Sequence, residues 1–303
     1  MNSRTFFRGL FWSVVALAIL FYAAGGWYFS SELIDDGFVI DADPITVTGG
    51  DYEMELVEYE TELGAMDAWY LPSVGDTWVI HVHGLGTTPA EAEPLFASLQ
   101  DAGYPQLAIT YRNDDGQPED PSGLYQYGAT EHHDISDAVD YALGNGAERV
   151  FINAYSTGAA HTLGFAYREV RDRVIGAHFD SPNIDFGETV NYNASQRELP
   201  ILPFNVPESL SAVAKFMTSL RIGISWRTLD YVENSAESLK IPVLVHHGTT
   251  DLAVPIETSV DFATTNPSMV RLVQVEGAGH VESFDVLGAQ YTTAILEFIA
   301  SLE

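Results

Sequence analysis

Apolar residues fall along this chain in three textures. Residues 11–28 (FWSVVALAILFYAAGGWY) carry no charge and, as one helix, are long enough to cross a hydrocarbon layer about 30 Å thick. Between 45 and 71, apolar and polar residues alternate in two runs parted by Glu62-Leu63-Gly64-Ala65, the pattern of a β-hairpin. From residue 77 onward, short apolar runs at 77–82, 106–111, 149–154, 174–179, 242–247 and 270–275 read as buried strands. Helical patterns interleave with them at 89–102, 130–143, 157–168, 256–264 and 286–302, with apolar residues at three-and-four spacing. Strands buried on both faces and alternating with helices predict an α/β fold: a mostly parallel central sheet with helices on both sides.

The alternation stops over residues 183–239, which hold several prolines and one amphipathic pattern at 207–226. There Leu210, Val213, Ala214, Met217, Leu220 and Ile224 share one helical face, and Pro207 stands where a first turn tolerates it. An insertion between strands of such a sheet predicts a cap, because loops at the carboxyl ends of strands surround the site. The expected organisation is a membrane span over 1–31, a linker over 32–44, and one catalytic domain over 45–303 with its cap insertion at about 183–239.

Composition narrows this further. A chain of 303 residues, 46% hydrophobic, buries a full core as a single domain. Its formal charge of -30 repels nucleic-acid phosphates, which excludes that class of partner. With no cysteine, disulfides, thiolate catalysis and cysteine-bound metal are excluded too. Arg4 and Arg8 precede the apolar segment and Glu32, Asp35 and Asp36 follow it, so the amino terminus is expected in the cytoplasm and the rest outside. Cleavage near Ala23-Ala24-Gly25, giving a secreted protein, is the alternative.

The chemistry begins at Val150-Phe151-Ile152-Asn153-Ala154-Tyr155-Ser156-Thr157-Gly158, a strand that runs into a serine and on into a helix. A serine on a strained strand-to-helix turn exposes its hydroxyl as a nucleophile, and small neighbours let strand and helix approach. Ala154 stands where G-x-S-x-G has its first glycine. His81-Val82-His83-Gly84-Leu85-Gly86 closes another strand, so the N–H groups of Leu85 and Thr157 are expected to form an oxyanion hole. Asp251 follows the strand at 242–247 and His280 follows that at 270–275, which makes them the expected orienting acid and general base for Ser156. Asp180 is the alternative acid. The remaining histidines lack the spacing of a zinc site, residues 113–120 lack the ligands of a calcium loop, and no cofactor is expected.

The segments HVHGLG, the Ser156 turn, HGTTDLAVP and GAGHVESF together resemble the α/β-hydrolase superfamily over residue 51 to the carboxyl terminus. More narrowly, Tyr111-Arg112-Asn113-Asp114 and Gly279-His280-Val281-Glu282-Ser283 resemble membrane-anchored actinobacterial serine hydrolases, related to BEM46-like proteins and prolyl-oligopeptidase-type peptidases. The resemblance implies a Ser156–His280–Asp251 triad and carries no substrate. Ester hydrolysis through an acyl-enzyme is the leading expectation, with amide cleavage, acyl transfer or a binding protein on the same fold as alternatives. The expected partner is a small-molecule or lipid-like ester, and Phe204, Phe216 and Trp226 in the insertion suggest an apolar group on it.

Overall fold

The computed structural model describes residues 3–38, 52–199 and 205–303. The chain divides into two compact units: Met1–Val39 with Val190–Trp226, and Ile40–Thr189 with Arg227–Glu303. In chain order the helices are α1 (Ser3–Gly37), α2 (Glu93–Asp101), α3 (His132–Gly144), α4 (Thr157–Arg168), α5 (Phe186–Gln196), α6 (Glu208–Ile222), α7 (Tyr231–Ser238), α8 (Ile256–Thr265), α9 (Ser283–Leu287) and α10 (Ala289–Leu302). The strands are β1 (Glu55–Thr61), β2 (Gly64–Leu71), β3 (Thr77–Val82), β4 (Gln106–Ile109), β5 (Arg149–Tyr155), β6 (Val174–Asp180), β7 (Val243–Gly248) and β8 (Val270–Val275).

In the first unit the second half of α1 packs along α6. Two glycines permit the approach: a Cβ on Gly26 would fall 2.5 Å from Val213 Cγ1, and one on Gly25 would fall 3.1 Å from Leu210 Cδ1. Polar bonds continue the seam. Thr218 Oγ1 donates to Ser30 Oγ at 3.0 Å, Arg221 donates to Ser30 and Ser31, and Arg197 pairs with Glu32 at 2.8 Å. Residues 32–37, expected as linker, are therefore helix, because α6 offers α1 a partner beyond its apolar stretch. Residues 39–44 of that linker and 45–51 of the expected hairpin lie outside the described residues, as does Phe204. Trp226, half-buried, packs edge-on against Phe38 and donates to the Lys215 carbonyl at 3.0 Å, so these partners lie within this unit, whereas Phe216 is exposed.

The second unit holds an eight-stranded sheet in the order β1-β2-β4-β3-β5-β6-β7-β8. The β1–β2 hairpin joins antiparallel to β4, and from β4 to β8 every pair is parallel. Both faces are covered, as an apolar parallel sheet requires. Ile135, Val139, Leu163 and Phe262 from α3, α4 and α8 pack on one cluster; Leu95, Leu99, Ile295 and Ile299 from α2 and α10 form another. Two expected elements end early for local reasons. The run 106–111 stops as strand at Ile109, because Asp114 Oδ2 accepts the Tyr111 N–H at 2.8 Å and turns the chain. The helix expected over 286–302 breaks at Gly288, whose φ of 54° leaves α9 and α10 as separate pieces.

Across the middle of the sheet runs a buried chain of polar side chains. His246 Nδ1 donates to His178 Nε2 at 2.9 Å and His178 Nδ1 donates to Asn153 Oδ1 at 2.6 Å. Asn153 Nδ2 then donates to His81 Nδ1, and His81 Nε2 donates to Gln106 Oε1, both at 3.0 Å. Every imidazole is satisfied in its neutral form, which matches burial lowering His81 and His246 to about 4 and His178 well below the usual value. His161 on α4 differs: it is buried against Tyr111, its Nδ1 has no partner among the described residues, and burial, with His83 nearby, lowers it to about 3.

His161 yields a sharp expectation for stability. Below pH 6.5 the unfolded chain protonates this imidazole, and the folded chain does not until about pH 3. The resulting loss is about 1.4 kcal/mol per pH unit. His161→Leu removes the loss, so the variant gains on wild type by that slope as pH falls from 6 to 4 in urea-unfolding measurements. A difference that stayed constant over this range would mean that the imidazole takes up its proton in the folded state.

Candidate active site

The site grows from the carboxyl ends of four parallel strands. β5 delivers Ser156 at φ 46° and ψ -116°, a conformation that costs a non-glycine residue energy and persists only where surroundings enforce it. The enforcement is visible: Ser156 N–H donates to the Asp180 carbonyl at 3.0 Å, while the Ser156 carbonyl accepts from Asn183 and Ala159. Gly158 is obligatory here, since a Cβ would lie 2.5 Å from the Val82 carbonyl oxygen and 2.6 Å from that of His83. Ala154, where the motif has glycine, is accommodated as a fully buried strand residue.

Ser156, Asp251 and His280, more than 90 residues apart along the chain in part, meet in one hydrogen-bonded relay. His280 Nε2 lies 3.0 Å from Ser156 Oγ and its Nδ1 lies 2.8 Å from Asp251 Oδ2. Oδ1 of Asp251 accepts the N–H groups of Ala253 and Val254 at 2.8 and 2.9 Å, and Oδ2 also faces His247 Nε2 at 3.3 Å. Burial alone would raise this carboxyl, but the bonds from His247 and His280 overcome it and hold the group well below the usual carboxylate range. Such a relay moves a proton from a hydroxyl to an imidazole whose tautomer is set by an ionised carboxylate. After His280, Val281 stands at φ 58°, held by its N–H bond to Ser181 Oγ.

Asp180, the alternative acid, does not reach His280; it accepts from Ser283 Oγ at 2.7 Å, and burial pushes its carboxyl up to about 6. Leu85 and Thr157 flank Ser156 from two directions. Thr157 opens α4, so its N–H has no intrahelical acceptor, and Leu85 follows Gly84, where a Cβ would lie 3.0 Å from Ser156 Cβ. Among the described residues neither N–H donates to a protein acceptor. The loop before Leu85 is pinned: Glu91 Oε2 accepts the Gly84 N–H at 2.8 Å, and the Gly84 carbonyl accepts from His83 Nδ1 at 2.9 Å. His83 Nε2 meets Asp114 at 2.9 Å, and although burial lowers this imidazole, the carboxylate prevails and its pKa is raised.

Sequence reasoning missed His247 and Glu91. The first was legible as a histidine four residues before Asp251; nothing local marks the second. Among the described residues, His132, His133 and Glu169 bring possible metal-ligand atoms within 4.8 Å of one another, between α3 and the end of α4, apart from the relay.

No protein-family model matches the sequence, and no curated protein does. Solved structures do match in shape. An esterase of Pyrococcus furiosus superposes with a TM-score of 0.66 at 23% identity, covering 86% of this chain and 98% of its own. An esterase of Thermogutta terrifontis, malate bound, gives 0.56 at 21% identity over 82% and 99%. The acylaminoacyl peptidase of Pyrococcus horikoshii gives 0.61 at 16% identity over 82% of this chain and 42% of its own. The chain has the α/β-hydrolase fold. In an α/β-hydrolase sheet the strand order reverses beside the central strand, and the carboxyl ends of β3, β5, β7 and β8 here lead to the loop holding Leu85, to Ser156, to Asp251 and to His280.

Proposed function

We propose that this chain is a serine hydrolase that cleaves carboxylic esters through an acyl-enzyme. The observation that carries the reading is the continuous relay from Ser156 Oγ through His280 to Asp251. In this reading His280 takes the Ser156 proton as the oxygen attacks the acyl carbonyl, and Asp251 stabilises the imidazolium. The N–H groups of Leu85 and Thr157 receive the oxyanion, each contributing roughly 3 kcal/mol in the transition state. The alcohol leaves with the proton from His280, and water then frees the acyl group by the same route. Amide cleavage uses the same residues. The test is labelling by a fluorophosphonate probe followed by turnover of p-nitrophenyl esters of graded chain length beside an aminopeptidase substrate: labelling confined to Ser156 with ester turnover is expected, and an unlabelled, well-folded protein would sink the reading.

The reading places the enzyme at a membrane, with α1 as span, the amino terminus in the cytoplasm and the catalytic unit outside. Three facts support it: α1 is long and apolar enough, Phe11, Trp12, Leu17 and Leu20 are exposed along it, and the charge is unevenly shared. The first unit carries as many basic as acidic residues, so the whole net charge of -30 falls in the second. The insertion is read as a cap belonging to the same enzyme. Because α6 packs on the far half of α1, truncation has two outcomes. Deleting residues 1–20 is expected to give a soluble, active protein. Deleting 1–31 also strips Gly25, Gly26 and Ser30 from α6, uncovers Leu210, and makes residues 190–226 sensitive to limited proteolysis. Equal resistance of the two truncations would show that α6 does not depend on α1.

A further inference from the structure

The first turn of α3 and the end of α4 bring together two imidazoles and a carboxylate that the relay does not use. His132 and His133 open α3, and Glu169 caps α4. Consecutive helix residues ordinarily point apart, yet the centroids of these two rings lie 4.0 Å from each other. Both rings turn a nitrogen to one oxygen: His132 Nε2 stands 3.6 Å and His133 Nδ1 3.1 Å from Glu169 Oε1.

His132 decides what those atoms can hold. It is 4% exposed, and its Nδ1 lies 3.4 Å from the Thr130 carbonyl, which can only accept. Nδ1 therefore carries the proton, and Nε2 is left with a bare lone pair. That lone pair faces the Glu169 carboxylate, another acceptor, at a distance too long for a hydrogen bond. A second proton on the ring does not relieve the clash at neutral pH, because burial, with His133 and Arg168 nearby, lowers this imidazole to about 4. A metal ion does relieve it. Ligand atoms about 2.0–2.1 Å from a tetrahedral zinc stand roughly 3.3 Å from one another, between the 3.1 and 3.6 Å found here. The Nδ1–H bond to a backbone carbonyl is also the kind of outer bond that fixes the tautomer of a metal-binding imidazole.

We propose that His132 Nε2, His133 Nδ1 and a Glu169 carboxylate oxygen bind a divalent ion of the zinc class, which clamps the start of α3 to the end of α4. Water completes the four ligands on the side where His133 and Glu169 reach solvent. Adjacent histidines give no zinc spacing along the chain, because the third ligand comes from the far end of the next helix. Charge around the site favours a cation: Asp137 lies near His133, and the chain carries a net -30. Arg168 opposes it, though its guanidinium turns back to the Gly164 carbonyl at 3.1 Å. The site uses none of the relay residues and does not depend on the proposed hydrolysis.

The test is a calorimetric titration of the full-length protein in detergent, stripped with a chelator, with zinc chloride and in parallel with magnesium chloride. Zinc is expected to bind at one site and to raise the thermal unfolding midpoint, and magnesium, which prefers oxygen ligands, to bind at least about tenfold more weakly. His133→Ala and Glu169→Gln, both at the solvent side, are each expected to lower zinc affinity about tenfold or more and to remove the shift in midpoint. No zinc binding, as when Glu169 merely pairs with a protonated His133, would overturn the proposal. So would equal affinity for the two metals, or a zinc affinity untouched by both substitutions, which would place the ion at another histidine.

Discussion

Ser156→Ala is expected to abolish fluorophosphonate labelling and to cut kcat for ester hydrolysis by about 10⁶, the scale on which loss of a serine nucleophile acts when relay and oxyanion donors act as a unit. The fold is expected to survive, since the Ser156 hydroxyl contacts His280 and no structural partner. A companion variant tests the strained turn. At φ 46° a glycine is free of the Cβ penalty, so Ser156→Gly is expected to be equally inactive yet more stable than Ser156→Ala by about 1 kcal/mol. Steady-state kinetics and urea unfolding measure both. Appreciable turnover in either variant would remove Ser156 from the chemistry.

For Asp251→Asn the expected loss in kcat is about 10⁴, by a mechanism that the hydrogen bonds spell out. Oδ1 already accepts from Ala253 and Val254, so the amide of an asparagine keeps its oxygen there and turns its NH₂ toward His280. His280 Nδ1 must then be the acceptor, which leaves the proton on Nε2, the atom that has to receive one from Ser156. Asp180→Asn changes no contact of His280, and turnover of an uncharged ester is expected to fall far less. Comparable losses in the two variants would transfer the orienting role to Asp180.

Much of this architecture is local enough to be read without coordinates. The strand at 77–82 is found as expected, because a parallel strand buried on both faces must be largely apolar, and that run is visible in one dimension. The strand at 270–275 also keeps its expected bounds, although it lies at the sheet edge with Arg271 and Gln274 exposed. Ser156, Asp251 and His280 were legible for a related reason: each follows a strand within five residues, beside glycines, and a parallel sheet brings the ends of its strands to one edge. By contrast, the continuation of α1 through Gly37 depended on α6 lying about 170 residues later in the chain, and no periodicity in α1 announces that partner.

The sequence by itself determined which residues stand at the strand ends, and with them the fold class and the three groups of the relay. Tertiary structure alone decided which carboxylate the imidazole meets. Asp180 ends β6 and Asp251 follows β7, and only the path of the loop after β7, tied by two backbone N–H bonds to Asp251 Oδ1, aims Oδ2 at His280. It likewise decided that His132, His133 and Glu169 meet at the ends of α3 and α4. Distances across a sheet depend on strand order and on how helices pack against its edge, and neither is encoded in the spacing of residues along the chain.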